Sequence, residues 1–175
     1  MTAGRRGLYT LLKLLQALVT GWSPRAIVCG MSGKALVLLV EDAPADVTVV
    51  REALSMLGNP VDLMVVTDGN AALDYLFKQP PYEGVPRPDL IMLDLNLPLV
   101  SGRQVLAAVK VNPHLARIPV VIYSSAWTPE LIADCKRLAE DYVVKPKTWA
   151  ECVARLRLVL RNIPQESRVG TLRDL

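Results

Sequence analysis

The stretch Leu90-Ile91-Met92-Leu93-Asp94-Leu95-Asn96-Leu97-Pro98 decides the fold. Four apolar residues run into a carboxylate, and a tight Pro-containing segment follows. Three other apolar runs end the same way. Ala35-Leu36-Val37-Leu38-Leu39-Val40 leads into Glu41-Asp42, Pro119-Val120-Val121-Ile122-Tyr123 into Ser124, and Tyr142-Val143-Val144 into Lys145-Pro146. In a parallel sheet the carboxyl ends of the strands share one edge, and ligands bind there. That edge then carries an acid pair, a single acid, a hydroxyl and an ammonium. Such a set suits a divalent cation and a phosphoryl group.

Working outward, five β-like runs near 35–40, 61–66, 89–95, 118–123 and 141–144 alternate with helical spacing. The runs lack period-two alternation, as expected for strands covered on both faces. Val61-Asp62-Leu63-Met64-Val65-Val66 is the most polar of them and reads as an edge strand. Val47, Val50, Leu54 and Leu57 keep helical steps up to Gly58, a good C-terminal stop. Leu73, Leu76 and Phe77 follow the Asp68-Gly69 turn, and Val105, Leu106 and Val109 stop before Pro113. Leu131, Ile132, Cys135 and Leu138 follow Thr128-Pro129, a cap residue and a helix-starting proline. Trp149, Cys152, Val153, Leu156, Val159 and Leu160 follow Thr148 as N-cap. The class is α/β, a doubly wound (βα)5 unit with an open parallel five-stranded sheet.

The chain has 175 residues, 51% hydrophobic and 21% charged, which predicts a compact globular body with an aliphatic core, given one Phe. Three domain segments are expected: an N-terminal extension over 1–34, the main domain over 35–163 and a polar, loosely ordered tail over 164–175. The net charge of +3 is uneven. Arg5, Arg6, Lys13, Arg25 and Lys34 stand in a segment without acids, and the remainder is net acidic. No basic stripe marks the main body, so nucleic acid is not the expected partner. Leu8 to Val19 form a basic apolar stretch too short and polar to span a bilayer. Three readings of this extension stay open: a spurious or disordered leader before a start at Met31, a partner helix, and a targeting segment. Cys29, Cys135 and Cys152 make no metal or disulfide pattern, and Cys135 and Cys152 are expected as buried thiols in a reducing, cytoplasmic setting. The Pro-rich stretch 79–88 reads as a surface loop.

Val40-Glu41-Asp42, Leu93-Asp94-Leu95-Asn96-Leu97-Pro98, Ser124 and Val144-Lys145-Pro146 together resemble the receiver domain of two-component response regulators, over about Ala35 to Ile163. The Glu41–Asp46 segment, the Asp68-Gly69 turn and the 79–88 loop are most similar to small stand-alone regulators paired with bacterial phytochrome kinases. The resemblance implies a flavodoxin-like strand order 2-1-3-4-5. It implies Asp94 as phosphoacceptor from a histidine kinase, phytochrome-type in the narrower likeness, with Mg2+ held by Asp42, Asp94, Glu41 through a water, and the Asn96 backbone carbonyl. Lys145 would neutralise the transferred group, and Ser124 would pull on it, letting Tyr142 turn inward. A cis bond between Lys145 and Pro146 is part of the same pattern. Output would be a switched protein surface that contacts a downstream protein target.

Each residue also has a plainer reading. Glu41-Asp42 suits a helix N-terminus, Asp94 a loop cap, Lys145 the surface, and Tyr142 the core. Asp46 reads as a first-turn helix acid rather than a ligand, and His114 as an exposed loop residue that supplies no phosphodonor. Competing functions are an aspartyl-nucleophile phosphatase and a constitutive receiver-like scaffold. Asn96 stands where such phosphatases place a second carboxylate, which counts against the former. The residues after the last helix are too few for an output domain, so the expectation is a phosphoacceptor rather than an enzyme. Two surfaces suit a homodimer, the exposed Leu99-Val100 pair and the last helix near Trp149.

Overall fold

The computed structural model describes residues 34–58, 60–164 and 167. The expectations for residues 1–33, and most of those for the tail, lie outside the described residues. Five strands and five helices alternate: β1 (Leu36–Val40), α1 (Pro44–Met56), β2 (Asp62–Val66), α2 (Gly69–Leu76), β3 (Leu90–Leu93), α3 (Gly102–Val111), β4 (Val120–Ser124), α4 (Pro129–Lys136), β5 (Asp141–Val144) and α5 (Trp149–Leu160). All pairings are parallel, in the order β2-β1-β3-β4-β5. The expected class and strand order both hold.

Burial explains the unalternating runs. Every residue of β1, β3 and β4 is buried, because helices cover both sheet faces. Val37, Leu39, Leu90, Met92, Val121 and Tyr123 face α1 and α5, whose Val50, Leu54, Leu156 and Val159 complete that half of the core. The intervening Leu38, Val40, Ile91, Leu93 and Ile122 are buried too and point to the opposite face. β2 is one of the two edge strands, with only Met64 and Val66 buried. Thr128 and Thr148 cap α4 and α5 by accepting from the amides of Leu131 and Glu151.

Several expectations need correction. β3 stops at Leu93, since Asp94 onward leaves the sheet for the turn into α3. α4 ends at Lys136, leaving Leu138 half-exposed beyond it. The 79–88 segment is non-helical, but it is more than a surface loop: Tyr82 and Val85 are buried, and Tyr82 meets Tyr75 at 5.4 Å between ring centroids. The cis peptide lies at Pro80-Pro81, and Lys145-Pro146 is trans. Trans is the default even before proline, and Lys145 reaches its partners from it.

Gly102 sets the approach of α3 to the sheet edge. Its amide donates to the Leu95 carbonyl at 3.0 Å. A Cβ there would stand 2.0 Å from the Asp94 carbonyl oxygen and 2.8 Å from Leu95 Cα. Both are backbone atoms with little room to yield. Gly102→Ala is therefore expected to cost about 2 kcal/mol by overpacking, read as a lower urea midpoint. An unchanged midpoint would show that this turn is free to shift.

Candidate functional site

Sheet hydrogen bonds run one residue past the strands and fix the site's backbone. The Glu41 amide donates to the Val66 carbonyl, Asp94 to Val40, and Lys145 to Ser124, each at 3.0 Å. Glu41, Asp94, Ser124 and Lys145 thus share one edge, as their strand-end positions require. Glu41, Asp94 and Ser124 are buried, and Lys145 keeps only a tenth of its side chain exposed.

The Lys145 ammonium is the centre. It donates to Asp94 Oδ2 at 2.6 Å and to Asp46 Oδ2 at 2.7 Å. Glu41 Oε2 lies 2.6 Å away as a third close ion-pair partner. The other Glu41 oxygen accepts from the Ala43 amide at 3.2 Å. Asp94 Oδ1 accepts from the Ser124 hydroxyl at 2.6 Å and from the Asn96 amide at 3.1 Å. Both Asp94 oxygens are therefore oriented, which is what an attacking carboxylate requires.

The charges set the titration. Burial pushes the Glu41 carboxyl above the usual glutamate range, against the pull of the Lys145 ammonium. Burial alone would lower Lys145, but hydrogen bonds to Asp46, Asp94 and Glu41 outweigh it and hold the ammonium above the usual lysine range.

Oxygens of Glu41, Asp42 and Asp94 all lie within 4.8 Å of one another, with Asp42 exposed at the rim. An all-carboxylate donor set fits a hard divalent cation such as Mg2+ or Mn2+. Glu41 Oε2 fits it as well, a buried carboxylate oxygen whose side-chain partner is the Lys145 ammonium and which a cation or its water could share. The structure brings Glu41, Asp42, Asp94, Ser124 and Lys145 together. Of Asn96, it places the amide on Asp94.

Tyr142 connects to the same site. Its ring is buried and its hydroxyl donates to the Ala126 carbonyl. The Ala126 amide donates to Ser124 Oγ at 3.4 Å. Asp46 is the residue that sequence reasoning missed. It stands in the first turn of α1 as expected, yet it also grips a lysine 99 residues away. The available signal was its place just beyond the Glu41-Asp42 pair.

The family described as "Response regulator receiver domain" matches residues 37–157. Response regulator Rcp1 of Synechocystis sp. is 42% identical over 113 residues, covering 64% of this chain and 77% of that one. Among solved structures, the Mn2+-bound form of Rcp1 is similar with a TM-score of 0.67 at 37% identity, covering 71% of this chain and 91% of that one. The phosphorylated cyanobacterial phytochrome response regulator RcpA is similar with a TM-score of 0.70 at 34% identity, covering 76% and 96%.

The raised Glu41 pKa gives a stability test. A carboxyl whose folded pKa exceeds its unfolded value loses stability as pH climbs from the unfolded value of 4.5 through the folded one, and none below both. In metal-free protein, Glu41→Gln should raise the melting temperature at neutral pH, and the gain should vanish below the ordinary glutamate range. The same variant should bind Mn2+ more weakly by calorimetry. A lowered melting temperature at neutral pH would mean that the Lys145 contact outweighs burial.

Proposed function

We propose that this chain, which belongs to the response regulator receiver domain family, accepts a phosphoryl group from a histidine kinase onto Asp94. The observation that carries the reading is the Asp94 carboxylate, held on both oxygens by Ser124, Asn96 and Lys145 beside two further acids. Residues 35–163 form the receiver in this reading. The likeness to the cyanobacterial phytochrome response regulator RcpA supports a phytochrome-type sensor kinase as donor. No helix among the described residues is long and apolar enough to cross a membrane, and a cytoplasmic site of action fits a kinase donor.

In the transfer, an Asp94 oxygen attacks the phosphorus of phosphohistidine. The P–N bond breaks, a P–O bond forms, and the imidazole leaves with the electron pair and takes a proton. Glu41, Asp42 and Asp94 would hold Mg2+, with the Asn96 backbone carbonyl as a further oxygen donor. The ion supplies charge neutralisation on the transferring oxygens. Lys145 neutralises the same charge from the other side. Ser124, now donating to Asp94 Oδ1, turns its hydroxyl to a phosphoryl oxygen once Asp94 is modified. Through Ala126 that shift reaches Tyr142 and the surface of α4, β5 and α5, a population change read by a downstream protein or a second copy.

Mass spectrometry after incubation with Mg2+ and acetyl phosphate tests the reading. One phosphoryl group per chain is expected, mapped to Asp94, lost in Asp94→Asn and on chelation. Lys145→Ala should slow its appearance about a hundredfold. Sustained phosphate release over many turnovers would favour a phosphatase, and no incorporation would favour a scaffold.

A further inference from the structure

Lys145 has three N–H donors and three acidic neighbours, and the neighbours are not equivalent. Glu41 and Asp94 belong to the trio whose oxygens converge within 4.8 Å, and Asp46 does not. A divalent cation in that trio therefore competes with the ammonium for two of its three partners. Phosphorylation removes more, because it consumes an oxygen of Asp94. Asp46 alone is left to the lysine throughout.

The present contacts already divide in this way. All three acids touch the ammonium, at 2.6 Å for Asp94 and Glu41 and 2.7 Å for Asp46, but only Asp46 stands outside the converging trio. With one donor committed to Asp46, the ammonium keeps a partner on the α1 side when Glu41 and Asp94 turn to another ligand. Asp46 is placed for this by the first turn of α1, which starts at Pro44 directly after the acid pair. The contact is sheltered on the lysine side, with 10% of the Lys145 side chain exposed against 39% for Asp46.

We propose that Asp46 is a positioning residue. It keeps the Lys145 ammonium at the site while Glu41 and Asp94 are given over to the cation and the phosphoryl group. Without it the ammonium closes onto Glu41 and Asp94, and a cation must break those contacts to enter. This rests on the phosphoacceptor reading above for its purpose, but its physical core is a coupling between Asp46, Lys145 and cation affinity.

Calorimetric titration with Mn2+ in a double-mutant cycle tests it. Asp46→Asn should weaken Mn2+ binding about tenfold when Lys145 is present, the usual scale for losing a group that orients the ligands. In a Lys145→Gln background the same change should cost only about twofold, through lost charge alone. Asp46→Glu should recover most of the affinity. Equal losses in both backgrounds would overturn the proposal, since Asp46 would then act on the cation by its own charge. So would no loss in either. A lowered melting temperature with unchanged Mn2+ affinity would likewise reduce Asp46 to a helix acid. Phosphoryl transfer is not needed for this readout: a wild-type chain that shows the coupling but takes no phosphate at Asp94 sinks only the function proposed earlier.

Discussion

Three carboxylates stand within 2.7 Å of one lysine ammonium, two put there by strand ends of a parallel sheet and the third by the first turn of α1. Left alone, clustered acids of this kind repel one another and resist ionisation. Lys145 offsets that repulsion in the metal-free chain, and its own burial is tolerated because the acids surround it. The sheet hydrogen bonds of Glu41, Asp94 and Lys145 then keep the cluster from relaxing apart. The site is thus a charge arrangement that the fold holds in place, ready to exchange part of the lysine's role for a cation.

From this cluster a short chain of contacts leads outward. Asp94 is bonded to Ser124, Ser124 to the Ala126 amide, and the Ala126 carbonyl to the Tyr142 hydroxyl. Each link crosses from one segment to the next, from the turn after β3 to β4, into the loop before α4, and on to β5. Trp127, two-thirds exposed, follows Ala126 directly. These contacts join the Asp94 end of Ser124 to an exposed aromatic and a buried tyrosine in three steps.

The fold was legible because the relevant signals are local. Unbroken apolar runs marked β1, β3 and β4 as covered on both faces, and the polar Asp62 marked β2 as an edge. Thr128-Pro129 and Thr148 gave helix starts that the capping bonds match. The strand-end acids, hydroxyl and lysine converged because topology alone brings them together. What escaped were properties set by side-chain reach. Asp46 carried a sufficient local explanation as a helix acid, and nothing local pairs it with Lys145. Tyr82 and Val85 sit in a Pro-rich segment whose composition signals a loop but not how deeply two of its residues pack. The state of the Lys145-Pro146 bond followed from likeness to a family rather than from the residues themselves, and there the structure differs.

A crystal structure of the full chain grown with Mg2+ and beryllofluoride, a stable phosphoryl mimic, tests the central claim most directly. The expected result is the mimic bonded to an Asp94 oxygen, a cation touching Asp42 and Asp94, Ser124 turned onto a fluoride, and Lys145 still bonded to Asp46. A mimic bound elsewhere, or a cation that leaves the Glu41, Asp42 and Asp94 oxygens untouched, would contradict it.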